Sequence, residues 1–249
     1  MPFAEIATGA RLYYEERGSG TPLLLIHGLM DVPRVHYPKL LDWLSAGYRV
    51  IAPSLRGYGE STPKPRDFPP DFYRRDTLDV LALMDALEID QAIILGYSDG
   101  GEIALMVPGL QPARFLGMVA WGAVGYFGPD MHTAAARAYP GDWIAEEDRA
   151  LHGITDIDLI MLQWVESVQG MVAAGGDVSL SGAAHITCPG LLLLGDRDSL
   201  NPAAYGQQFV DRMAQGRLVV VENCGHSIHN EQWAVFQQEV GAFLQSLGQ

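Results

Sequence analysis

A serine, an aspartate and a histidine, three side chains that together can attack a carbonyl, each follow a short apolar run in this chain. Ser98 lies in Gly96-Tyr97-Ser98-Asp99-Gly100-Gly101, between Ala92-Ile93-Ile94-Leu95 and the helix-compatible Glu102-Ile103-Ala104-Leu105-Met106. A G-x-S-x-G sequence between strand and helix is the setting in which a sharp turn exposes a nucleophilic hydroxyl, and its glycines let strand and helix approach closely. A serine hydroxyl is a weak nucleophile unless a base takes its proton, and that base needs a third group to hold its tautomer. The chain supplies both in the order Ser, acid, His. Asp198 lies in Gly195-Asp196-Arg197-Asp198-Ser199-Leu200-Asn201-Pro202, after the run Leu191 to Leu194. It is preferred to Asp196 because it sits deeper in the loop, whereas Asp196 is better placed to tie the turn. No acid follows the run Phe115 to Ala120, where Trp121-Gly122-Ala123 stands instead. His226, in Glu222-Asn223-Cys224-Gly225-His226-Ser227-Ile228-His229 after the run Leu218 to Val221, is the expected base, and His229 reads as a structural residue in the first turn of the last helix.

Attack on a carbonyl builds an oxyanion that needs main-chain donors, each worth roughly 10²- to 10³-fold in rate. His27-Gly28-Leu29-Met30, after the run Leu23 to Ile26, is the candidate loop. Leu29 is the nominated donor, with Met30 as the fallback and a possible substrate contact, and the residue after the nucleophile, Asp99, supplies the second N–H. The Asp99 side chain admits two readings. It can pair with a cationic group beside the scissile bond, or it can simply gain about 0.3–1 kcal/mol at the amino end of a helix.

These residues need a scaffold that brings several loops to one edge. Short apolar runs at Leu23–Ile26, Arg49–Ala52, Ala92–Leu95, Phe115–Ala120, Leu191–Leu194 and Leu218–Val221 alternate with amphipathic segments, the pattern of a largely parallel sheet with crossover helices. Helices are expected over Tyr37–Ala46, Asp71–Leu87, Ala203–Ala214 and Ile228–Leu247. In the second of these, Val80, Leu83, Met84 and Leu87 share one face, with Asp76, Asp79 and Asp85 off it. Pro108 is expected to end or kink the helix after Ser98. The alternation breaks between Val124 and about His185, which predicts a helical cap (124–185) inserted into a core formed by 1–123 and 186–249, over the carboxyl edge where ligands bind in open α/β sheets. The cap carries nine acidic residues (Asp130, Asp142, Glu146, Glu147, Asp148, Asp156, Asp158, Glu166, Asp177) against Arg137 and Arg149. A solvated surface accounts for most such charges; a mouth that draws in cationic substrates is the sharper alternative.

The 249 residues suit one α/β domain with an insertion, and 48% hydrophobic content excludes disorder. Net charge is −14 and the lysines are Lys39 and Lys64 alone, so nucleic acid is a poor partner. No apolar run reaches membrane-spanning length and no signal-peptide pattern opens the chain, so a soluble cytoplasmic protein is expected. Cys188 precedes one predicted strand and Cys224 follows another, roughly 15–20 Å apart and beyond disulfide reach. The histidines show no metal-ligand spacing, and neither metal nor cofactor is expected. Nothing in the sequence sets an oligomeric state.

Taken together, the motifs resemble those of the α/β-hydrolase superfamily, and within it the valacyclovir hydrolase (biphenyl hydrolase-like) branch. The general resemblance rests on His27-Gly28, Arg56-Gly57-Tyr58-Gly59-Glu60-Ser61, the turn at Ser98, Gly195-Asp196-Arg197-Asp198 and Gly225-His226. The branch resemblance rests on Arg66-Asp67-Phe68-Pro69-Pro70-Asp71-Phe72, Arg75-Asp76, Ser98-Asp99-Gly100-Gly101, Trp121-Gly122-Ala123 and Trp164-Val165, and it spans nearly the whole chain. Ser54, His27 and Pro108 depart from the branch pattern. The resemblance implies an α/β-hydrolase fold, a mostly parallel sheet of about eight strands with helices on both faces and an inserted cap. It also implies that Asp99 receives the ammonium of an α-amino acid ester. The expected function is a serine esterase acting on small carboxylic esters through an acyl-enzyme, with Ser98, Asp198 and His226 catalytic. The alternatives are the same three residues applied to lactones, amides, peracids or carbon–carbon bonds, and a non-catalytic ligand-binding protein on the same fold.

Overall fold

The computed structural model describes residues 2–248. Eight strands form one sheet in the order β1-β2-β4-β3-β5-β6-β7-β8: β1 (Phe3–Glu5), β2 (Arg11–Arg17), β3 (Pro22–Ile26), β4 (Arg49–Pro53), β5 (Ala92–Tyr97), β6 (Phe115–Trp121), β7 (Gly190–Gly195) and β8 (Gly216–Val221). β2 runs antiparallel to β1 and β4; every pairing from β4 through β8 is parallel. All six expected apolar runs are strands, extended by one or two residues at one or both ends.

Among the described residues ten α-helices accompany them: α1 (Pro33–His36), α2 (Pro38–Ser45), α3 (Phe72–Ala86), α4 (Asp99–Leu110), α5 (Pro129–Ala135), α6 (Glu146–His152), α7 (Ile157–Ala173), α8 (Ala203–Val210), and, after β8, α9 (Ile228–Glu231) and α10 (Trp233–Ser246). Side chains alternate across each strand, so the sheet has two apolar faces. Leu24, Ile26, Ile94, Leu192 and Leu194 pack with residues of α3, α4 and α8. Leu23, Leu25, Ile93, Leu95, Leu191 and Leu193 pack with α2 and α10. Between β6 and β7 the described residues contain α5, α6, α7 and 3₁₀ turns but no strand of the sheet. No helix among the described residues is long and apolar enough to cross a membrane.

Three local expectations are corrected. The Ile228–Leu247 segment is two helices, α9 and α10, parted at Gln232 (φ −134°, ψ 52°). Of the two outcomes expected at Pro108, an end there is ruled out, since α4 runs two residues past it to Leu110. Asp76 and Asp79 are not on a solvated face: both are buried, Asp76 against Arg66 (2.6 Å) and Asp79 against Arg56 (2.6 and 2.8 Å). Burial of a carboxylate is tolerated when a guanidinium and hydrogen bonds compensate it. Cys188 and Cys224 are both free and buried.

Candidate active site

Ser98 follows β5 and precedes α4, with φ 53° and ψ −120°. A positive φ at a non-glycine residue costs on the order of 1–3 kcal/mol and persists only where the surroundings enforce it. Here they do. The Ser98 N–H donates to Trp121 O on β6 (2.9 Å), and strand and helix press together at glycines on either side. A Cβ on Gly96 would lie 2.0 Å from Gly100 O, and one on Gly100 would lie 2.4 Å from Ile26 O. Larger residues at either position would push the turn apart.

The loops after β7 and β8 meet Ser98 at the carboxyl edge. His226 Nε2 lies 2.9 Å from Ser98 Oγ, and His226 Nδ1 lies 2.8 Å from Asp198 Oδ2. With its Nδ1 proton donated to Asp198, the imidazole has Nε2 free to accept from the serine. Burial opposes ionisation of Asp198. Donors outweigh it: His226, the main-chain N–H groups of Leu200 (2.9 Å) and Asn201 (3.2 Å), and Asn201 Nδ2 (3.1 Å). The net effect holds the Asp198 carboxyl below its ordinary value. Asp196 instead accepts the Cys224 N–H (3.1 Å) and ties the two loops together. His229 is buried, accepts from Trp121 Nε1 (3.0 Å) and is pushed down to about 4 by burial, which keeps it neutral. Asn201 is a residue that sequence reasoning missed. Its signal was its position three residues after Asp198, where a side chain can fold back on a carboxylate.

The turn after β3 abuts the serine: a Cβ on Gly28 would lie 3.2 Å from Ser98 Cβ. Leu29 lines the cavity with Ser98, and among the described residues no acceptor takes its N–H. Asp99 is the first residue of α4, where the N–H has no partner inside the helix. Met30 is 4% exposed and lines neither space beside Ser98; its carbonyl is engaged by His152 (2.9 Å). His27 is fully buried and bonded to Gly28 O and the Leu55 N–H, with burial pushing it down to about 3.

Two spaces open on Ser98. The larger, about 550 Å³, is lined by Leu29, Tyr97, Ala134, Arg137, Trp143 and Leu200 among others. The smaller, about 20 Å³, holds little more than one water-sized group. Asp99 faces this recess together with Tyr73, Glu102, Trp164, Ser98 and His226. Tyr73 Oη donates to Asp99 Oδ1 (2.6 Å) and Trp164 Nε1 to Oδ2 (3.1 Å). Burial pushes Asp99 up to about 6, against the pull of Tyr73, the Arg66 charge and Trp164. Glu102, one turn on, accepts the N–H groups of Val124 and Gly125, and burial pushes it up to about 7. None of the nine acidic residues between Val124 and His185 lines either space; Asp142 and Glu146 border a separate depression. Of this segment's charged side chains the one that lines the large cavity is Arg137, while Asp148 stands behind the lining residue His36 (3.1 Å). Among the described residues no group of three or more His, Cys, Asp or Glu side chains is arranged to hold a metal ion.

A model of the Alpha/beta hydrolase family matches residues 23–239. The serine hydrolase BPHL of Mus musculus is 29% identical over 248 residues, covering 95% of this chain and 84% of the mouse protein. The 2-hydroxymuconate semialdehyde hydrolase of Pseudomonas sp. (strain CF600) is 28% identical over 271 residues, covering 96% of this chain and 92% of that enzyme. In fold, the chain is similar to the meta-cleavage product hydrolase of Pseudomonas fluorescens IP01, with TM-score 0.75, 23% identity and coverage of 99% and 98%. An eight-stranded sheet of this topology, a strained strand-to-helix turn at Ser98 in its middle and a family match over most of the sequence agree: the chain is a member of the alpha/beta hydrolase family.

Proposed function

We propose that this hydrolase is a serine esterase that cleaves small carboxylic esters, with α-amino acid esters the leading class. The observation that carries the reading is the continuous relay from Asp198 through His226 to Ser98, with contacts of 2.8 and 2.9 Å. In the proposed cycle, His226 Nε2 takes the Ser98 proton as Oγ attacks the ester carbonyl, and Asp198 stabilises the imidazolium that forms. The N–H groups of Leu29 and Asp99 hold the oxyanion. Collapse breaks the bond to the alcohol, which leaves with the proton from His226. Water, deprotonated by the same nitrogen, then attacks the acyl-enzyme and releases the acid and Ser98.

The amino-ester preference rests on Asp99. A carboxylate beside the nucleophile, facing a recess the size of one small polar group, offers an ammonium a charge-assisted hydrogen bond in a desolvated setting. The likeness to the serine hydrolase BPHL is consistent with this reading. The residues 124–185 are proposed to act as a cap, since Ala134, Arg137, Trp143 and Trp164 line the large cavity above Ser98. Labelling with a fluorophosphonate probe tests the nucleophile. Wild type is expected to label and Ser98→Ala not to; absence of wild-type labelling would sink the esterase reading.

A further inference from the structure

His152, at the end of α6, is fully buried 122 residues away in sequence from the turn it touches. Its Nδ1 accepts the Gly59 N–H (3.0 Å), so a neutral ring carries its proton on Nε2, which then donates to Met30 O (2.9 Å). Burial keeps the ring neutral, pushing it down to about 4. Its main-chain carbonyl accepts from Lys64 Nζ (2.8 Å), and its ring packs edge-on against Tyr58, which packs in the same way against His27. One side chain thus joins α6, the loop after β4 and the turn after β3.

That turn is held in an unusual shape. Met30 has φ 62°, a left-handed conformation that a long side chain adopts at a cost, and the Asp31 N–H closes the turn on Gly28 O (3.3 Å). Leu29, between Gly28 and Met30, points an unclaimed N–H from this turn while lining the cavity with Ser98. The hydrogen bond from His152 fixes the Met30 carbonyl and so the peptide plane that carries the Asp31 N–H; that N–H holds Gly28 O, which shares its plane with the Leu29 N–H and is also engaged by His27 Nδ1 (2.8 Å).

We propose that His152 is a positioning residue for the oxyanion turn: by holding the Met30 carbonyl it aims the Leu29 N–H at the reacting oxygen. The seating of α6 on the core and the readiness of the oxyanion donor are then one event. The inference rests on the esterase reading, in which Leu29 serves the oxyanion. It adds that a residue with no place in the cavity lining controls the chemical step rather than substrate binding.

A pair of variants separates the two ring nitrogens. His152→Gln reaches the Nε2 position and can still donate to Met30 O, whereas His152→Asn reaches only the Nδ1 position and keeps the Gly59 contact alone. His152→Asn is expected to lower kcat by about 10- to 100-fold, the size of loss that a misplacement of about 1 Å produces. KM and the preference for amino esters should stay within about twofold, and His152→Gln should retain kcat to within about threefold. Fluorophosphonate labelling should slow in parallel with kcat. A folded His152→Asn with wild-type kcat, or equal losses in the two variants, overturns the assignment. Should His152→Asn not fold, His152→Gln still decides, because a folded Gln variant with kcat down more than tenfold contradicts it. Failure of wild type to label would instead strike the esterase reading itself.

Discussion

Asp99 and Asp198 are both buried carboxylates within reach of the Ser98 neighbourhood, and the fold treats them in opposite ways. Asp198 meets His226, two main-chain N–H groups and the Asn201 amide, which overcome its burial and hold it ionised. Asp99 meets one phenol and one indole, and its nearest cation, Arg66, is already paired with Asp76, so burial prevails and pushes it up to about 6. A carboxylate that the protein itself compensates belongs to the internal machinery. One left under-compensated at the wall of a recess suits the proposed role of Asp99, completion by a cation that arrives with the substrate.

The widest separation between the two is expected from amide substitutions. Asp198→Asn presents an N–H₂ group to His226 Nδ1 and favours the tautomer that cannot accept the Ser98 proton. A fall in kcat on the order of 10³- to 10⁴-fold is expected, equal for esters with and without an amine. Asp99→Asn should leave esters lacking the amine nearly untouched and lower kcat/KM for amino esters by about 10- to 100-fold, the worth of a hydrogen bond to a charged group. Steady-state kinetics on matched ester pairs measures both. If Asp99→Asn slows the two classes equally, the distinction between the carboxylates collapses.

Stability should divide the same residues with opposite sign. A carboxyl raised in the folded state binds its proton more tightly there than in the unfolded chain, so its contribution falls as pH rises from about 4 to its folded value of about 6. Above that value the full penalty is present. Asp99→Asn removes it, and thermal melts at pH 7.5 should show a gain of up to about 2–3 kcal/mol, with none at pH 4. Asp198, held low, supplies stability that is present above its unfolded value and is lost as pH falls through the folded one. Asp198→Asn should therefore destabilise at pH 7.5. A destabilised Asp99→Asn at that pH would mean that the carboxylate is already satisfied.

The elements that made this contrast readable in the sequence are local ones. Ser98, Asp198 and His226 each follow an apolar run by a few residues, and in a parallel sheet that spacing alone sends all three to one edge. The surroundings of the carboxylates were not local. Tyr73 reaches Asp99 from α3 and Trp164 from α7, and nothing in either segment's periodicity distinguishes a donor aimed at a recess from a core aromatic. Asp76 was misplaced because, four residues before Val80, it shares the apolar face, and Asp79 because an amphipathic pattern assigns charges to solvent, whereas Arg66 and Arg56, from the loop after β4, follow them into the interior. The break at Gln232 has no proline or glycine to announce it.

Finer control of Asp99 follows from its two donors. The amino-ester preference should rise as pH climbs through about 6, where Asp99 ionises, and fade as the substrate ammonium loses its proton near an ordinary α-amino value of about 7.7–8.0. The Tyr73 hydroxyl favours the ionised form. Tyr73→Phe should therefore move the rising limb to higher pH and reduce the preference at pH 6.5 by a few fold. An unmoved limb would assign Tyr73 to packing alone.

The smallest effect is expected where the sequence carries the most charge. Asp142 and Glu146 are exposed and border a depression apart from both spaces at Ser98, and the pull of exposed charges is weakened by screening at physiological ionic strength. The double substitution Asp142→Asn with Glu146→Gln should change kcat/KM for amino esters by less than about twofold. Arg137, which does line the large cavity, is the sharper control: Arg137→Gln removes a like charge from the path of a cationic ester, and a gain of about two- to fivefold is expected from an exposed, partly screened pair. Should the acidic pair matter more than Arg137, long-range attraction by the segment's −7 charge would have to be restored to the account, and Asp99 would no longer be the sole source of cation preference.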